Sequence, residues 1–405
     1  MQDRDAVCSE NNVLSMKGTL PYAGSFLTKV GFMKIIDVEA IVVRQDEISL
    51  IGDGSQDTAL IKITTDEGIV GYGEIDSAPE VMKAIIDAPS SHVVCRGIKE
   101  LLVGEDPLRI EYLWQKMYQY TYYYGRRSAA IHAMSGVDMA LWDISGKYYN
   151  VPVYKLLGGG FRTEIPAYCS VLMPGTEAEI KELVESKSYA NFRGFKFGWG
   201  ALGESFKKDI QLIEWARKYV GDDKDLMIDI GMLWKDCKSA IKTVHAIEDY
   251  NIKWLEEPFT PDNIEGYKRL CGEVDTWISA GEEVGPLHEF DTLINYCGID
   301  LIQPDMSRCG GITVAKKVSD MADLKGIPLI PHAFKTGVLM GASLQLIASI
   351  PNALYLEYCE QNTVLSKGLI KNHYQLDPSG LVHIPQGPGL GFEIDPDVLK
   401  RYRRS

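Results

Sequence analysis

The 405 residues hold no two cysteines at CxxC spacing, although eight cysteines are present (Cys8, Cys95, Cys169, Cys237, Cys271, Cys297, Cys309 and Cys359). Scattered in this way they suggest neither a zinc knuckle nor a redox motif, and reduced thiols are the simple expectation. Positive charge is also short: 42 Lys and Arg stand against 56 Asp and Glu, a formal net charge of −14. That balance argues against nucleic acid or an anionic membrane as partner, since both attract basic patches. The only basic cluster is the tail RYRRS, which reads as a solvated C-terminus. No apolar stretch is long enough to span a bilayer, and no basic segment followed by an apolar run opens the chain, so a cytoplasmic location is expected. No GxGxxG follows a strand pattern, so a nicotinamide or flavin cofactor is not indicated.

What is present is a repeat. Asp229, Glu256 and Glu282 each close a short apolar run (DLMID, KWLEE, WISAGE), and they stand 27 and 26 residues apart. Apolar runs of this length separated by about twenty residues of helical pattern read as strand, helix, strand units and imply a parallel sheet. Extending the count adds Ser170, Lys196, Asp305, His332 and Glu357, making eight strand ends. Eight such units with polar groups at the strand ends predict a (β/α)8-type barrel whose catalytic face gathers those groups. A single strand-end acid is often just solvated or caps the following helix, but eight in register argue for a site. Three acids on adjacent strand ends would repel one another severely unless a cation sat between them, so Asp229, Glu256 and Glu282 point to a divalent metal.

Ahead of the repeat, residues 1–32 show no clear period and read as an N-terminal extension or arm. From Met33 the strand MKIIDVEAIVVR, a polar loop from Gln45 to Asp57, and the pair TALIKIT and IVGYGE joined at Asp66, Glu67 and Gly68 predict an antiparallel sheet. Helical patterns follow at PEVMKAIIDA, PLRIEYLWQKMYQY and AAIHAMSGVDMALWDISGKYY, the last rich in small residues that suit close packing. Strands first and helices later indicate an α+β capping domain over 33–160, with the glycine run at Leu157 to Gly160 as the junction to a barrel over 161–360. Residues 361–405 are turn-rich and are expected to pack back on the capping domain.

These residues match a known pattern. Asp229 in MIDIG, Glu256 in WLEEP, Glu282 in SAGEE, Asp305 in QPDMSRCGGIT, His332 in PHAF and Glu357 in LEY agree in order, spacing and context with the enolase superfamily, and GVDMALWDISGK ending in LLGG resembles its capping-domain helix and junction. The chain resembles the mandelate racemase subgroup of that superfamily from Met33 onward. The resemblance implies removal of a proton next to a carboxylate to give an ene-diolate, which needs cations and donors placed in advance. It implies Mg²⁺ held by Asp229, Glu256 and Glu282, with Lys196 as a second positive group at the substrate carboxylate. Glu357 would donate to the same oxygens if burial or neighbouring acids kept it protonated. His332 would be the base, its tautomer and basicity set by Asp305. The remaining histidines (His92, His132, His245, His288, His373, His383) read as structural.

One departure narrows the chemistry. Many members of the subgroup carry K-x-K on the second strand, the second lysine acting as a base on the opposite face; here the segment is Lys196, Phe197, Gly198. A two-base racemase would lack one base, whereas a dehydratase can use one residue for both proton transfers. The expectation is therefore a Mg²⁺-dependent dehydratase of an aldonic or aldaric acid, yielding a 2-keto-3-deoxy acid. The alternatives are a racemase or epimerase of an α-substituted carboxylate, Lys196 itself as base, and a non-catalytic barrel with a binding role. The resemblance also implies a homo-oligomer, from dimer to octamer. Substrate selection is expected from the loop Gln45 to Asp57 and from Tyr122 to Arg127 (YYYGRR).

Overall fold

Alternation of β-branched and polar residues builds a three-stranded antiparallel sheet from β1 (Ile35–Arg44), β2 (Asp57–Thr65) and β3 (Val70–Ile75). The register pairs Val38 with Ile63 and Ala40 with Ile61, leaving one face apolar. The helix Ala129–Tyr148 lies on that face. Its approach is close enough that a Cβ on Gly73 would sit 2.0 Å from the Gly136 carbonyl oxygen, so β3 needs glycine there. The computed structural model describes residues 32–361 and 363–404, and Met33–Ser405 form one compact unit. The expected arm, residues 1–32, lies outside the described residues apart from its last one. All seven described cysteines are free, and no helix among the described residues is long and apolar enough to cross a membrane.

The repeat folds into a curled parallel sheet. Its strands are β4 (Glu164–Leu172), β5 (Gly194–Gly198), β6 (Asp225–Asp229), β7 (Ile252–Glu256), β8 (Ile278–Ala280), β9 (Leu301–Ile302) and β10 (Leu356–Cys359). They run in the order β10-β4-β5-β6-β7-β8-β9. Where a further strand was expected, before His332, the chain makes only a bridge: Leu329 pairs in parallel with Ile302 on one side and Ala353 on the other. The segment is GIPLIPH, and Pro328 and Pro331 cannot donate to a ladder, which limits pairing to the residues between them. The barrel thus closes through a seam thinner than the sequence suggests. Two residues before Ser170, Asp229, Glu256 and His332, and four before Asp305, the strands point Tyr168, Met227, Trp254, Ile330 and Leu301 into one buried cluster that fills the barrel below the site.

The C-terminal segment packs on both the barrel and the capping domain. β11 (Leu381–His383) pairs antiparallel with β4 of the barrel, and Leu390 N donates to Asp143 Oδ1 at 3.0 Å in the capping-domain helix. The last residues return to β1 as an anchor: Tyr402 is buried, Arg403 bonds Glu39 at 2.6 Å, and Arg404 bonds Asp46 at 2.9 Å. Tyr402 to Arg404 are therefore docked and not a solvated end, held because β1 and the loop after it offer the acids Glu39 and Asp46.

Two buried acids tie the layers together. Glu74 on β3 accepts from Thr336 Oγ1 (2.8 Å) and Leu339 N (3.0 Å) at the start of the helix Gly337–Ser349. Asp138 accepts from Thr313 Oγ1 (2.6 Å) and Thr313 N (3.0 Å) at the start of Ile312–Asp323. Burial pushes both carboxyls up to about 7, from ordinary values of 4.5 and 3.8. Because each folded-state value lies above the unfolded one, the folded chain binds the proton more tightly. The stability so gained is full below about pH 4 and is lost as pH rises to about 7. Each group accounts for at most ~1.4 kcal/mol per pH unit in that window. Thermal melts from pH 4.5 to 8 should therefore show a wild-type profile that falls more steeply than that of Glu74→Gln/Asp138→Asn. Parallel profiles would contradict the assignment.

Candidate active site

The strand-end residues named from the repeat converge on one cavity of 270 Å³ at the carboxyl ends of the barrel strands. Ser170, Lys196, Asp229, Glu282, His332 and Glu357 line it. Asp229 and Glu256 end their strands, while Glu282, Asp305 and His332 lie just beyond β8, β9 and the Leu329 bridge. One oxygen from each of Asp229, Glu256 and Glu282 lies within 4.8 Å of the others, and all three residues are buried. Burial first, and then the neighbouring Glu256, hold the Asp229 carboxyl well above the usual carboxylate range, with Lys196 opposing. Glu282 Oε2 is buried and makes no hydrogen bond, its nearest cationic neighbour being His332 Nε2 at 3.2 Å. An all-oxygen set of three buried, mutually repelling carboxylates suits a hard divalent cation.

Behind the triad, donors fix Glu256 and Asp229. Glu256 Oε2 accepts from Gln303 Nε2 (2.7 Å) and Trp254 Nε1 (3.0 Å), and Oε1 takes Lys196 Nζ. Asp229 Oδ1 accepts from Gly231 N at 2.8 Å. Lys196 also reaches Glu357 Oε1 at 2.8 Å. Burial would lower the Lys196 pKa, but Glu256 and Glu357 outweigh it and hold the ammonium well above its ordinary range. Lys196 is thus a fixed cation, which weighs against the alternative in which it is the base.

Glu357 departs from expectation. A protonated donor would need a raised pKa, whereas Glu357 accepts three bonds, from Ser170 Oγ (2.8 Å), Lys196 Nζ (2.8 Å) and Ala333 N (2.7 Å). Burial would raise it, but Lys196 and then His332 bring it down to about 2. It is an ionised acceptor that positions Lys196 and Ser170.

His332 Nδ1 lies 2.7 Å from Asp305 Oδ2, which leaves Nε2 toward the cavity, 3.2 Å from Glu282 Oε2. Asp305 is oriented by Ser307 N at 2.6 Å. Burial would lower the imidazole pKa, yet Glu282, Glu357 and Asp305 raise it to about 10. On the opposite side, a Cβ built on Gly198 would sit 2.7 Å from Asp229 Oδ2, so no side chain enters there without moving that carboxylate.

A second set of groups was not singled out from the sequence. Arg308 Nη1 bonds Glu283 (2.8 Å), its Nη2 bonds Asp76 at the end of β3, and its Nε lies 3.7 Å from Asp305. Lys335 Nζ bonds Asp76 at 2.6 Å and the Gly54 carbonyl at 2.5 Å. Burial would raise Asp76, but Arg308 and Lys335 hold it well below the usual range. The available signal was spacing: Arg308 and Lys335 each stand three residues after a site residue, Asp305 and His332. Of the two candidate selectivity segments, Ile51 to Gly54 from the capping loop lines the cavity, whereas Tyr122 to Arg127 does not; Arg127 pairs with Glu289 at 2.8 Å instead.

Residues 35–158 match the mandelate racemase / muconate lactonizing enzyme N-terminal domain, and residues 176–398 match the enolase C-terminal domain-like family. The chain is 31% identical over 370 residues to an arabinonate dehydratase of Saccharolobus solfataricus, covering 90% of this chain and 96% of that one. A 3,6-anhydro-D-galactonate cycloisomerase from Zobellia galactanivorans superposes with a TM-score of 0.82 at 31% identity, covering 92% of this chain and all (100%) of that one. A racemase from Streptomyces coelicolor with bound magnesium gives a TM-score of 0.80 at 26% identity, over 91% of this chain and 100% of the other. With two matched domains in the same order and relatives aligned over nine-tenths of its length, the chain belongs to the mandelate racemase subgroup of the enolase superfamily.

Proposed function

We propose that the chain is a Mg²⁺-dependent dehydratase that converts an acid sugar to a 2-keto-3-deoxy acid, a hydro-lyase. The observation that carries this reading is the asymmetry of the cavity: the His332 and Asp305 pair on one face, and Gly198 packed on Asp229 on the other. A racemase needs a proton donor on each face, whereas an elimination needs one group. The dehydratase named among the relatives supports the same reaction class.

Asp229, Glu256 and Glu282 would hold the cation, and the relative with bound magnesium supports Mg²⁺. When bound, the cation supplies positive charge that stabilises the ene-diolate oxygens and offsets the pull of Glu282 on His332. Lys196, kept as an ammonium by Glu256 and Glu357, adds fixed charge at the substrate carboxylate. His332 Nε2 takes the α-proton; the resulting imidazolium returns it to the β-hydroxyl, the C–O bond breaks, water leaves, and the enol tautomerises to the keto acid. Asp305 holds Nδ1–H and so keeps Nε2 as the reacting nitrogen. One imidazole reaches one face, so the elimination is syn. The same reading takes a homo-oligomer in the cytoplasm as the setting.

Proton NMR of C5 and C6 acid sugars incubated with the protein and Mg²⁺ in D₂O tests the reading. The expected product is a 2-keto-3-deoxy acid with no C2-epimerised substrate. Accumulation of the epimer would favour racemisation, and a cyclised or ring-opened isomer would favour the chemistry named for the Zobellia relative.

A further inference from the structure

Asp76 follows the last residue of β3 in the capping sheet, and its two oxygens are divided between two segments of the barrel. Oδ2 takes Arg308 Nη2, and Oδ1 takes Lys335 Nζ at 2.6 Å. Arg308 stands three residues after Asp305 in a tight turn, where Arg308 N and Cys309 N both donate to the Asp305 carbonyl oxygen (3.0 and 2.7 Å). Lys335 stands three residues after His332, and its neighbour Thr336 donates to Glu74, two positions before Asp76. Acids two positions apart reach the same side of an extended chain, so the end of β3 grips Lys335 and Thr336 together. The charged groups are withdrawn from water: the side chains of Asp76, Lys335 and Arg308 are 9%, 2% and 14% exposed.

Arg308 has four carboxylates around it. Asp76 and Glu283 (2.8 Å) bond it closely, while Glu282 Oε1 and Asp305 Oδ2 lie farther, at 3.5 and 3.7 Å. The two farther acids are the ones the chemistry needs. Glu282 belongs to the triad, and Asp305 Oδ2 is the oxygen that holds His332 Nδ1. A buried cation that loses a partner is strongly destabilising where it stands, so a guanidinium without Asp76 moves toward the carboxylates that remain. That move sets Arg308 against His332 for the same Asp305 oxygen. Resting on the reading of His332 and Asp305 as the acid/base pair, we infer that Asp76 is a positioning residue: from the capping domain it draws Arg308 off Asp305 and Glu282 and holds in place the two segments that carry Asp305 and His332.

A double-mutant cycle on the full Mg²⁺-loaded chain tests this, with Asp76→Asn, Arg308→Met and the two combined. Asparagine keeps an oxygen for Lys335 and removes the charge that holds Arg308. Asp76→Asn should lower kcat on the best acid sugar by about 10–100-fold, the usual cost of losing a group behind the reacting ones, with KM nearly unchanged. Once Arg308 is methionine there is no guanidinium to misplace, and Asp76→Asn should then cost at most about 3-fold more. Losses that simply multiply would show a merely structural role and overturn the inference, and a loss confined to KM would make Asp76 a substrate contact and overturn it too. If Asp76→Asn alone does not fold, the double variant must fold, since it carries no freed guanidinium; a double variant as unstable as the single one would refute the role. The ¹⁵N NMR signals of the His332 ring, identified by their loss in His332→Asn, give a readout without turnover. They should shift in Asp76→Asn and return toward wild type in the double variant. Should no acid sugar be dehydrated, the dehydratase reading fails, while that shift and return would still support the role of Asp76, and unshifted signals would refute it.

Discussion

His332→Asn is expected to lower both α-proton exchange in D₂O and dehydration by about 10²–10⁴-fold, the range that a positioned general acid/base contributes, while Mg²⁺ affinity persists. The substitution keeps size and polarity and removes the basic nitrogen that faces the cavity. Both rates should fall together because the same nitrogen takes the α-proton and returns it to the leaving hydroxyl. Asp305→Asn should do less damage to the rate. It removes one of the acids that raise the imidazole pKa, so the rising limb of the pH profile for kcat/KM should move to lower pH. Proton exchange at near the original rate in His332→Asn would eliminate the single-base mechanism. Lys196 is a poor substitute in that event, since Glu256 and Glu357 keep it charged.

Glu256→Gln should cost on the order of 10³-fold in turnover, the equivalent of several kcal/mol of lost charge stabilisation. Glu256 has two duties. It is one of three oxygens placed for the cation, and it holds Lys196 through Oε1 while Trp254 and Gln303 fix Oε2. Glutamine retains the shape but removes the charge that both cations answer to. Titration calorimetry should show weakened Mg²⁺ binding, and circular dichroism an unchanged fold, because the residues packed below belong to the apolar cluster around Trp254 and Tyr168. Wild-type turnover that survives exhaustive chelation would remove the metal assignment altogether.

Much of this site was legible in one dimension. A barrel of parallel strands repeats with a nearly constant period, so residues at equivalent strand ends recur at nearly constant spacing in the chain, and Asp229, Glu256 and Glu282 announce themselves by that spacing. The same logic located Lys196, Asp305, His332 and Glu357. The antiparallel sheet was equally plain, because its turn and its alternation are local features of sequence. The charge surplus, the lack of a second lysine at position 198 and the absence of a CxxC pair belong to composition and motif, and needed no coordinates.

What only the tertiary structure decided was everything that depends on which groups meet. The Glu357 carboxyl was expected to be protonated, but Ser170, Lys196 and Ala333 converge on it from other strands and loops, and three donors favour the ionised form. Asp76, Arg308 and Lys335 come from β3 and from two loops after the site residues. Their network spans up to 259 positions of sequence, a separation that no local pattern encodes. The two prolines that reduce the seventh expected strand to a bridge were visible, yet whether the seam still closes depended on Ile302 and Ala353 on either side. The cavity likewise gains one of its walls only because Ile51 to Gly54 of the capping loop meet the strand-end residues. Periodicity records where a residue sits on its own element, whereas protonation state and selectivity follow from distances between elements, and those are set by packing.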